Sequence, residues 1–187
     1  SWAVQASRNA ALASASMGTV IPASFAYTPD SDKLRESLYL ISRAQEATVQ
    51  QERLANKGLS QDVLKQKMKL SLKLVDRSYR LLDQINYCSQ FVDPPDQIVV
   101  ATESGNKAVD ALQNAIYFVN NDLTEGPLKE EQRTFLTKAM QTTRNGLFSF
   151  VKYMPQDKLN EARLRIEKEN VDNRNEFDGD SDAGVYN

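Results

Sequence analysis

The sequence has no histidine and a single cysteine, Cys88, among its 187 residues. Without histidine the chain lacks the commonest general base and the commonest metal ligand, and Ser-His or Cys-His catalysis is excluded. One cysteine permits no internal disulfide and no cysteine cluster for zinc or an iron–sulfur centre. Cys88 stands in a helical pattern with Leu81 and Ile85, which favours a buried, inert thiol. The sequence therefore predicts a protein that is not an enzyme.

Strong charge imbalance and long apolar runs are also missing. The chain has 23 basic and 25 acidic side chains, so it offers no general surface for nucleic acid. No apolar segment approaches the roughly 20 residues that cross a bilayer as a helix. Asp178, Asp180 and Asp182 alternate as in a calcium loop, but the chain ends before that loop's bidentate acid. We therefore expect no metal, no other cofactor and no small-molecule substrate.

The two ends of the chain differ from its middle. Residues 1–29 are rich in serine and alanine and carry one charged side chain, Arg8. The small residues at 24 and 26 suit a signal peptidase, so this segment is either a cleaved leader or a retained arm that lies on a partner. Residues 155–170 predict a short, highly charged helix appended to the main domain. Residues 171–187 are polar and acidic, which predicts a flexible tail.

The middle of the chain, residues 30–154, carries apolar seams at the spacing of α-helices. The most regular seam steps by three and four through Thr102, Gly105, Val109, Leu112, Ile116, Val119 and Leu123. Together with proline and glycine breakers, the seams predict helices over 32–56, 61–91, 96–123 and 128–153. Helices of this length with short connections favour an all-α fold. The expected architecture is an antiparallel up-down-up-down four-helix bundle with an extended N-terminal arm and an acidic C-terminal tail.

Several packing details follow from the same seams. One core is expected to contain Leu72, Val75, Leu112, Ile116, Leu147 and Phe150. The first helix turns polar beyond Ala47, which predicts a less buried end. The apolar seam of the helix predicted over 61–91 is expected to continue without interruption through Tyr79, Leu82 and Asn86. Gly105 weakens its helix by about 1 kcal/mol relative to alanine, which indicates a close neighbour at that point.

A lysine-rich run on the second predicted helix is the main charged feature of the middle region. It consists of Lys65, Lys67, Lys69 and Lys73, and a run of this kind forms either a solvated face or a docking surface for an acidic partner. The N-terminal segment adds anchors of a different kind. The candidate docking residues are therefore these four lysines together with Trp2, Arg8, Phe25 and Tyr27.

A four-helix bundle without cofactor ligands, behind a Ser/Ala-rich leader that ends near Ser24-Phe25-Ala26, resembles the PsbQ-type extrinsic subunits of photosystems. The resemblance covers residues 30–154 as the bundle and 1–29 as the leader or arm. It implies a non-catalytic subunit that stabilises or links a photosynthetic membrane complex, either a photosystem or its antenna. The implied partners are subunits of that complex, with the chain peripheral to the chloroplast thylakoid membrane. The lumenal face is favoured, and the stromal face applies if the N-terminal segment is retained.

Two other functions fit the same patterns. The first is a general helical adaptor or scaffold protein, unrelated to photosynthesis, that binds a partner through its helix faces. The second is a carrier of a small ligand, which would need a cavity inside the bundle. The well-filled seams argue against the carrier.

Overall fold

The computed structural model describes residues 30–176, which fold into five helical segments. These are α1 (Ser31–Ala55), a broken second segment made of α2 (Gln61–Lys73) and α3 (Leu81–Cys88), α4 (Ile98–Asn121), α5 (Glu130–Val151) and α6 (Gln156–Glu176). Residues 30–176 contain no β-strand, and their β-type pairing is limited to an isolated bridge between Ser60 and Pro127. The predicted all-α class is therefore confirmed. None of the described helices combines the length and hydropathy needed to span a membrane.

The central element is α1, which packs against α2, α3, α5 and α6. Asp30 caps it by accepting a 2.8 Å hydrogen bond from the backbone N–H of Asp32. Beyond Ala47 the helix is less buried, as expected, since Gln50 and Arg53 are exposed and Glu52 is half-buried. Polar residues are nevertheless buried along much of the helix, namely Ser37, Ser42, Gln45, Glu46, Thr48 and Gln51. Since neighbouring helices cover several sides of α1, its burial does not follow its own polarity.

The second segment is not the continuous helix predicted over 61–91. A π-helical turn, Leu74–Ser78, follows α2, and Arg80 then adopts a left-handed backbone conformation with a φ of 52°. Such a conformation is uncommon for a residue with a Cβ atom. The break changes the phase of the helix, so Leu81 and Ile85 are buried whereas Leu82 is 46 % exposed. The apolar seam predicted for this segment is therefore wrong after the break, where Asn86 is exposed as well as Leu82.

A single glutamine braces this break. The side chain of Gln84 donates a 2.8 Å hydrogen bond to the carbonyl oxygen of Tyr79, the residue immediately before Arg80. Its carbonyl oxygen accepts a 2.8 Å hydrogen bond from Ser37 on α1. Because one side chain joins the break to the central helix, the position of α3 relative to α2 is fixed by long-range contacts. Local helix propensity carries no signal for such a bridge.

The α4 helix packs through smaller residues than the sequence predicts. Its buried positions include Ala101, Gly105, Ala108, Leu112, Ala115 and Val119, whereas Thr102, Val109 and Ile116 are only half-buried. A Cβ atom placed on Gly105 would lie 2.7 Å from Cγ2 of Ile85, so the predicted close neighbour at this glycine is confirmed. Of the six expected core residues, all but Ile116 are buried.

The α5 and α6 helices follow α4 in the chain. The apolar seam of the helix predicted over 128–153 consists of Leu136, Met140, Thr143, Leu147, Phe150 and Met154, and all six are buried. Of the three residues expected to widen it, Ala139 and Val151 are buried, whereas Phe135 is 40 % exposed, so that part of the prediction is wrong. The short charged helix predicted over 155–170 is longer, since α6 runs from Gln156 to Glu176. It is not an appendage, because Leu159, Ala162 and Ile166 are buried and α6 packs along α1. The flexible tail predicted from residue 171 is therefore helical at its start, and residues 177–187 lie outside the described part.

Polar contacts give the relative direction of the helices. Glu52 pairs with Arg144 at 2.8 Å, and Asn56 donates to Thr137 at 3.3 Å, so α1 and α5 run in opposite directions. The contacts between α1 and α6 follow the same order along both helices. Glu36 pairs with Arg165 at 2.8 Å and Glu46 accepts from Asn170 at 2.6 Å, so α6 runs parallel to α1.

Candidate docking surface on α2 and α4

A groove of about 270 Å³ lies between α4 and the α2 helix with its π-helical turn. Its apolar floor includes Leu72 and Val119, which are both buried. The polar lining includes Asp76, whose carboxylate accepts a hydrogen bond from Gln113. The side-chain oxygen of Asn120 is buried there and has no hydrogen-bond partner among residues 30–176. The groove thus combines an apolar floor with one hydrogen-bond acceptor, the Oδ1 atom of Asn120, that has no donor among residues 30–176.

Three cationic side chains form one edge of this groove. Lys69, Lys73 and Arg77 all line it, and their regular spacing of four residues places them near one side of α2 and its π-helical turn. All three are exposed, and within the described chain none of them forms an ion pair or a hydrogen bond. Six arginines elsewhere in that part form ion pairs with carboxylates, namely Arg35, Arg43, Arg80, Arg133, Arg144 and Arg165.

The structure separates the four lysines that the sequence grouped together. Lys69 and Lys73 line the groove, whereas Lys67 is exposed and does not line it. Lys65 is half-buried and donates a 3.0 Å hydrogen bond to the carbonyl oxygen of Leu123, which ties α2 to the end of α4. It is therefore a structural residue here. The other four candidates, Trp2, Arg8, Phe25 and Tyr27, lie outside the described residues.

Sequence reasoning missed Arg77 and the α4 side of the groove. The spacing of Lys69, Lys73 and Arg77 was a usable signal, because side chains four residues apart lie on one side of a helix. The contributions of Gln113 and Asn120 had no such signal. These two residues belong to a helix that is distant in sequence, and only the packing of α2 on α4 brings them to the groove.

The groove is suited to binding carboxylates. Lys69, Lys73 and Arg77, which have no ion-pair partner among residues 30–176, attract negative charge. A single exposed ion pair contributes only about 0–1 kcal/mol, so affinity requires several such pairs together with contacts to the apolar floor. An acidic segment of a partner protein supplies both kinds of contact.

A second polar cluster joins α1 to α6. Tyr39 donates a 2.8 Å hydrogen bond to Glu169, Arg43 pairs with both Glu46 and Glu169, and the guanidinium of Arg165 lies 3.8 Å from the centre of the Tyr39 ring. Burial raises the pKa of Glu169, but the hydrogen bond from Tyr39 and the charge of Arg43 outweigh it, so the net shift is downward. These groups satisfy one another, so the cluster is a structural clamp for α6.

Cys88 lies on α3 with its side chain fully buried. Burial raises the pKa of its thiol from the ordinary 9.0 to about 12, although a hydrogen bond with Ser37 acts in the opposite direction. The thiolate, which is the reactive form, is therefore scarce at neutral pH. This agrees with the inert thiol that the sequence predicts. Residues 30–176 also contain no group of three or more Cys, Asp or Glu side chains arranged to hold a metal ion.

We expect Cys88 of the folded protein to react with Ellman's reagent at least about a hundredfold more slowly than the same thiol in denaturant, because both burial and its raised pKa suppress attack. The measurement is absorbance against time near neutral pH, with and without guanidinium. Equal rates in the two conditions would show that α3 does not shield this thiol.

Comparisons of the chain with protein-family models, with curated proteins and with solved structures found no match.

Proposed function

We propose that this protein is a non-catalytic subunit that docks at the periphery of a photosynthetic membrane complex, a photosystem or its antenna, and stabilises or links the assembly. The observation that carries the proposal is the α2–α4 groove, whose edge of Lys69, Lys73 and Arg77 forms no ion pair with the other residues of 30–176. An acidic segment of a partner subunit occupies this groove. The assignment to photosynthesis rests on the resemblance to PsbQ-type extrinsic subunits, which also favours the lumenal face of the thylakoid membrane.

The proposal includes the finer architecture. In it, α1, the broken second segment, α4 and α5 form an up-down-up-down four-helix bundle, and α6 is an added helix along α1. The opposite order of contacts between α1 and α5 supports this arrangement. The contacts between α1 and α3 also show that these two helices run in opposite directions. Ser37 donates to Gln84, while Tyr87, which follows Gln84, donates at 2.9 Å to the carbonyl oxygen of Asp30, which precedes Ser37. Such a bundle presents long, rigid helix faces for docking.

The N-terminal segment, residues 1–29, is the second contact in this proposal. A retained arm that lies on a partner while the groove binds elsewhere makes the second binding event intramolecular. Linked contacts of this kind raise affinity through effective concentration, even when each contact is weak. Removal of the arm is therefore expected to weaken binding by more than its few anchors would suggest.

The test is rebinding of the protein to photosynthetic membranes from which salt has removed extrinsic subunits. We expect deletion of residues 1–29, and separately the double change Lys69→Glu with Lys73→Glu, to weaken retention at least about tenfold each, which is about 1.4 kcal/mol. The charge reversal removes attraction to carboxylates and adds repulsion. Neither change should alter thermal stability appreciably, since both lysines are exposed and the arm lacks a periodic apolar face.

The matched control is Lys107→Glu with Lys138→Glu, which reverses two exposed lysines on α4 and α5 away from the groove. This control keeps the same net charge as the groove variant and should retain near-normal binding. Equal loss in the control and the groove variant would mean that net charge alone governs retention. Full retention by the groove variant would contradict the proposed docking site, and full retention without residues 1–29 would show that those residues are only an uncleaved leader.

A further inference from the structure

The side of α2 that faces away from the core exposes two leucines among lysines. Leu70 in α2 is 74 % exposed, and Leu74, the first residue of the π-helical turn, is 44 % exposed, whereas Leu64, Met68 and Leu72 of α2 are buried. We name Lys67, Leu70, Lys73 and Leu74 the α2 outer face. Neither leucine lines the α2–α4 groove, so the proposed protein docking site leaves this apolar pair unexplained.

Helix geometry makes the α2 outer face a compact pattern. Leu70 and Leu74 are four residues apart, so their side chains lie one turn apart on the same side of the helix. Lys67 and Lys73 stand three residues before and after Leu70, one on either flank of the apolar pair. Long lysine side chains in such positions can extend their charged ends to one side while their methylene stems lie along apolar surface.

The local charge of this region differs from that of the whole chain. Residues 67–77 carry four cationic side chains and one carboxylate, while the chain has a formal net charge of −2. The one carboxylate, Asp76, lines the groove and accepts a hydrogen bond from Gln113. Lys67, Lys69, Lys73 and Arg77 are all exposed. The positive charge around the two leucines is therefore not neutralised by nearby acidic residues on the same stretch.

We propose that the α2 outer face rests on a bilayer surface that contains anionic lipids. Leu70 and Leu74 enter the boundary between headgroups and acyl chains, and Lys67 and Lys73 contact the anionic headgroups. Exposed apolar side chains flanked by cations are the pattern of helices that lie in the membrane interface. An acidic protein surface would complement the cations but would leave the two leucines without an apolar environment. This inference goes beyond the proposed protein docking and does not depend on it.

The test is co-flotation of the full chain with vesicles. We expect binding to vesicles of phosphatidylcholine mixed with phosphatidylglycerol and little binding to phosphatidylcholine alone. High salt should release most of the bound protein, because the cations act through screened electrostatics. The double change Leu70→Gln with Leu74→Gln should reduce partition into the anionic vesicles at least about tenfold, since it removes apolar contact while keeping every lysine.

The matched control is Leu164→Gln, because Leu164 is 64 % exposed on α6 and lies outside the α2 outer face. It should bind like the unaltered protein. Equal binding by the double leucine variant would overturn the proposal, because charge alone would then account for adsorption. Failure of the unaltered protein to bind anionic vesicles would also overturn it. Lys73 belongs both to the groove edge and to the α2 outer face, whereas Leu70 and Leu74 do not line the groove. The double leucine variant therefore tests the α2 outer face while it leaves the cationic edge of the groove unaltered.

Discussion

Replacement of Leu112 by alanine is expected to lower the free energy of unfolding by about 2–5 kcal/mol, the usual cost of a large-to-small change in a packed core. Leu112 is 1 % exposed and belongs to the core cluster that contains Leu72, Leu147 and Phe150. Truncation removes buried apolar surface and leaves a cavity that rigid neighbouring helices fill only in part. The measurement is equilibrium unfolding in urea followed by circular dichroism.

Val99→Ala is the control for this measurement, because Val99 is exposed near the start of the same helix. Its effect should remain within about 0.5 kcal/mol, as for surface changes away from special features. If Leu112→Ala lowered the free energy of unfolding by less than about 1 kcal/mol, the packing described for α4 would be contradicted, since truncation of a buried leucine to alanine costs more than this. The comparison separates core packing from general helix propensity.

Gly146→Ala is the second change with a large expected effect. A Cβ atom on Gly146 would lie 2.7 Å from the carbonyl oxygen of Ser104 and 2.9 Å from the Cβ of Ala108. Because a backbone oxygen cannot move away alone, α4 and α5 would have to separate. We expect a net loss of stability of about 1–3 kcal/mol from overpacking, even though alanine favours a helix over glycine by about 1 kcal/mol.

Gly105→Ala is the informative companion to Gly146→Ala. Its Cβ atom would also meet an atom at 2.7 Å, but that atom is Cγ2 of the Ile85 side chain. A side chain can shift further than a backbone, so Gly105→Ala should cost less than Gly146→Ala in the same unfolding experiment. An equal or greater cost at Gly105 would show that side-chain adjustment at Ile85 is as restricted as the backbone of α4.

The helical class and most helix boundaries were predictable because they depend on local signals. Asp30 caps α1, and the α5 seam contains the residues that the three-and-four spacing indicates. The break after α2 was not predictable in this way. The run from Leu74 to Leu82 has no proline or glycine, and the bridge that Gln84 makes between Tyr79 and Ser37 depends on α1. When the apolar spacing is continued through such a break, it assigns the wrong residues to the buried side of the helix.

Burial in α1 and α4 shows a second limit of pattern reading. Gln45 and Gln51 are buried because helices surround α1, although a polar run ordinarily indicates an exposed face. Conversely, Ile116 is only half-buried because it lines the α2–α4 groove. In both helices the environment is set by neighbours that are distant in the sequence. Apolar spacing therefore predicts which side of a helix is buried better than it predicts how far the burial extends.

The candidate site was predictable in part. The lysine run directs attention to α2, and two of its members, Lys69 and Lys73, line the groove. The sequence could not separate them from Lys65, which is used in a hydrogen bond to Leu123. That separation needs the position of the α4 end, which is a tertiary feature. The roles proposed for Trp2, Arg8, Phe25 and Tyr27 remain predictions, because these residues lie outside the described part.

The most direct test of the docking function is to identify the complex with which the native protein co-purifies. Thylakoid membranes would be solubilised gently, and the complexes separated on a native gradient and probed for this chain with a specific antibody. Our account predicts that the protein migrates with chlorophyll-containing complexes and is released from them when the membranes are first washed in high salt. Migration apart from every chlorophyll-containing fraction would contradict it and would favour a general helical adaptor unrelated to photosynthesis.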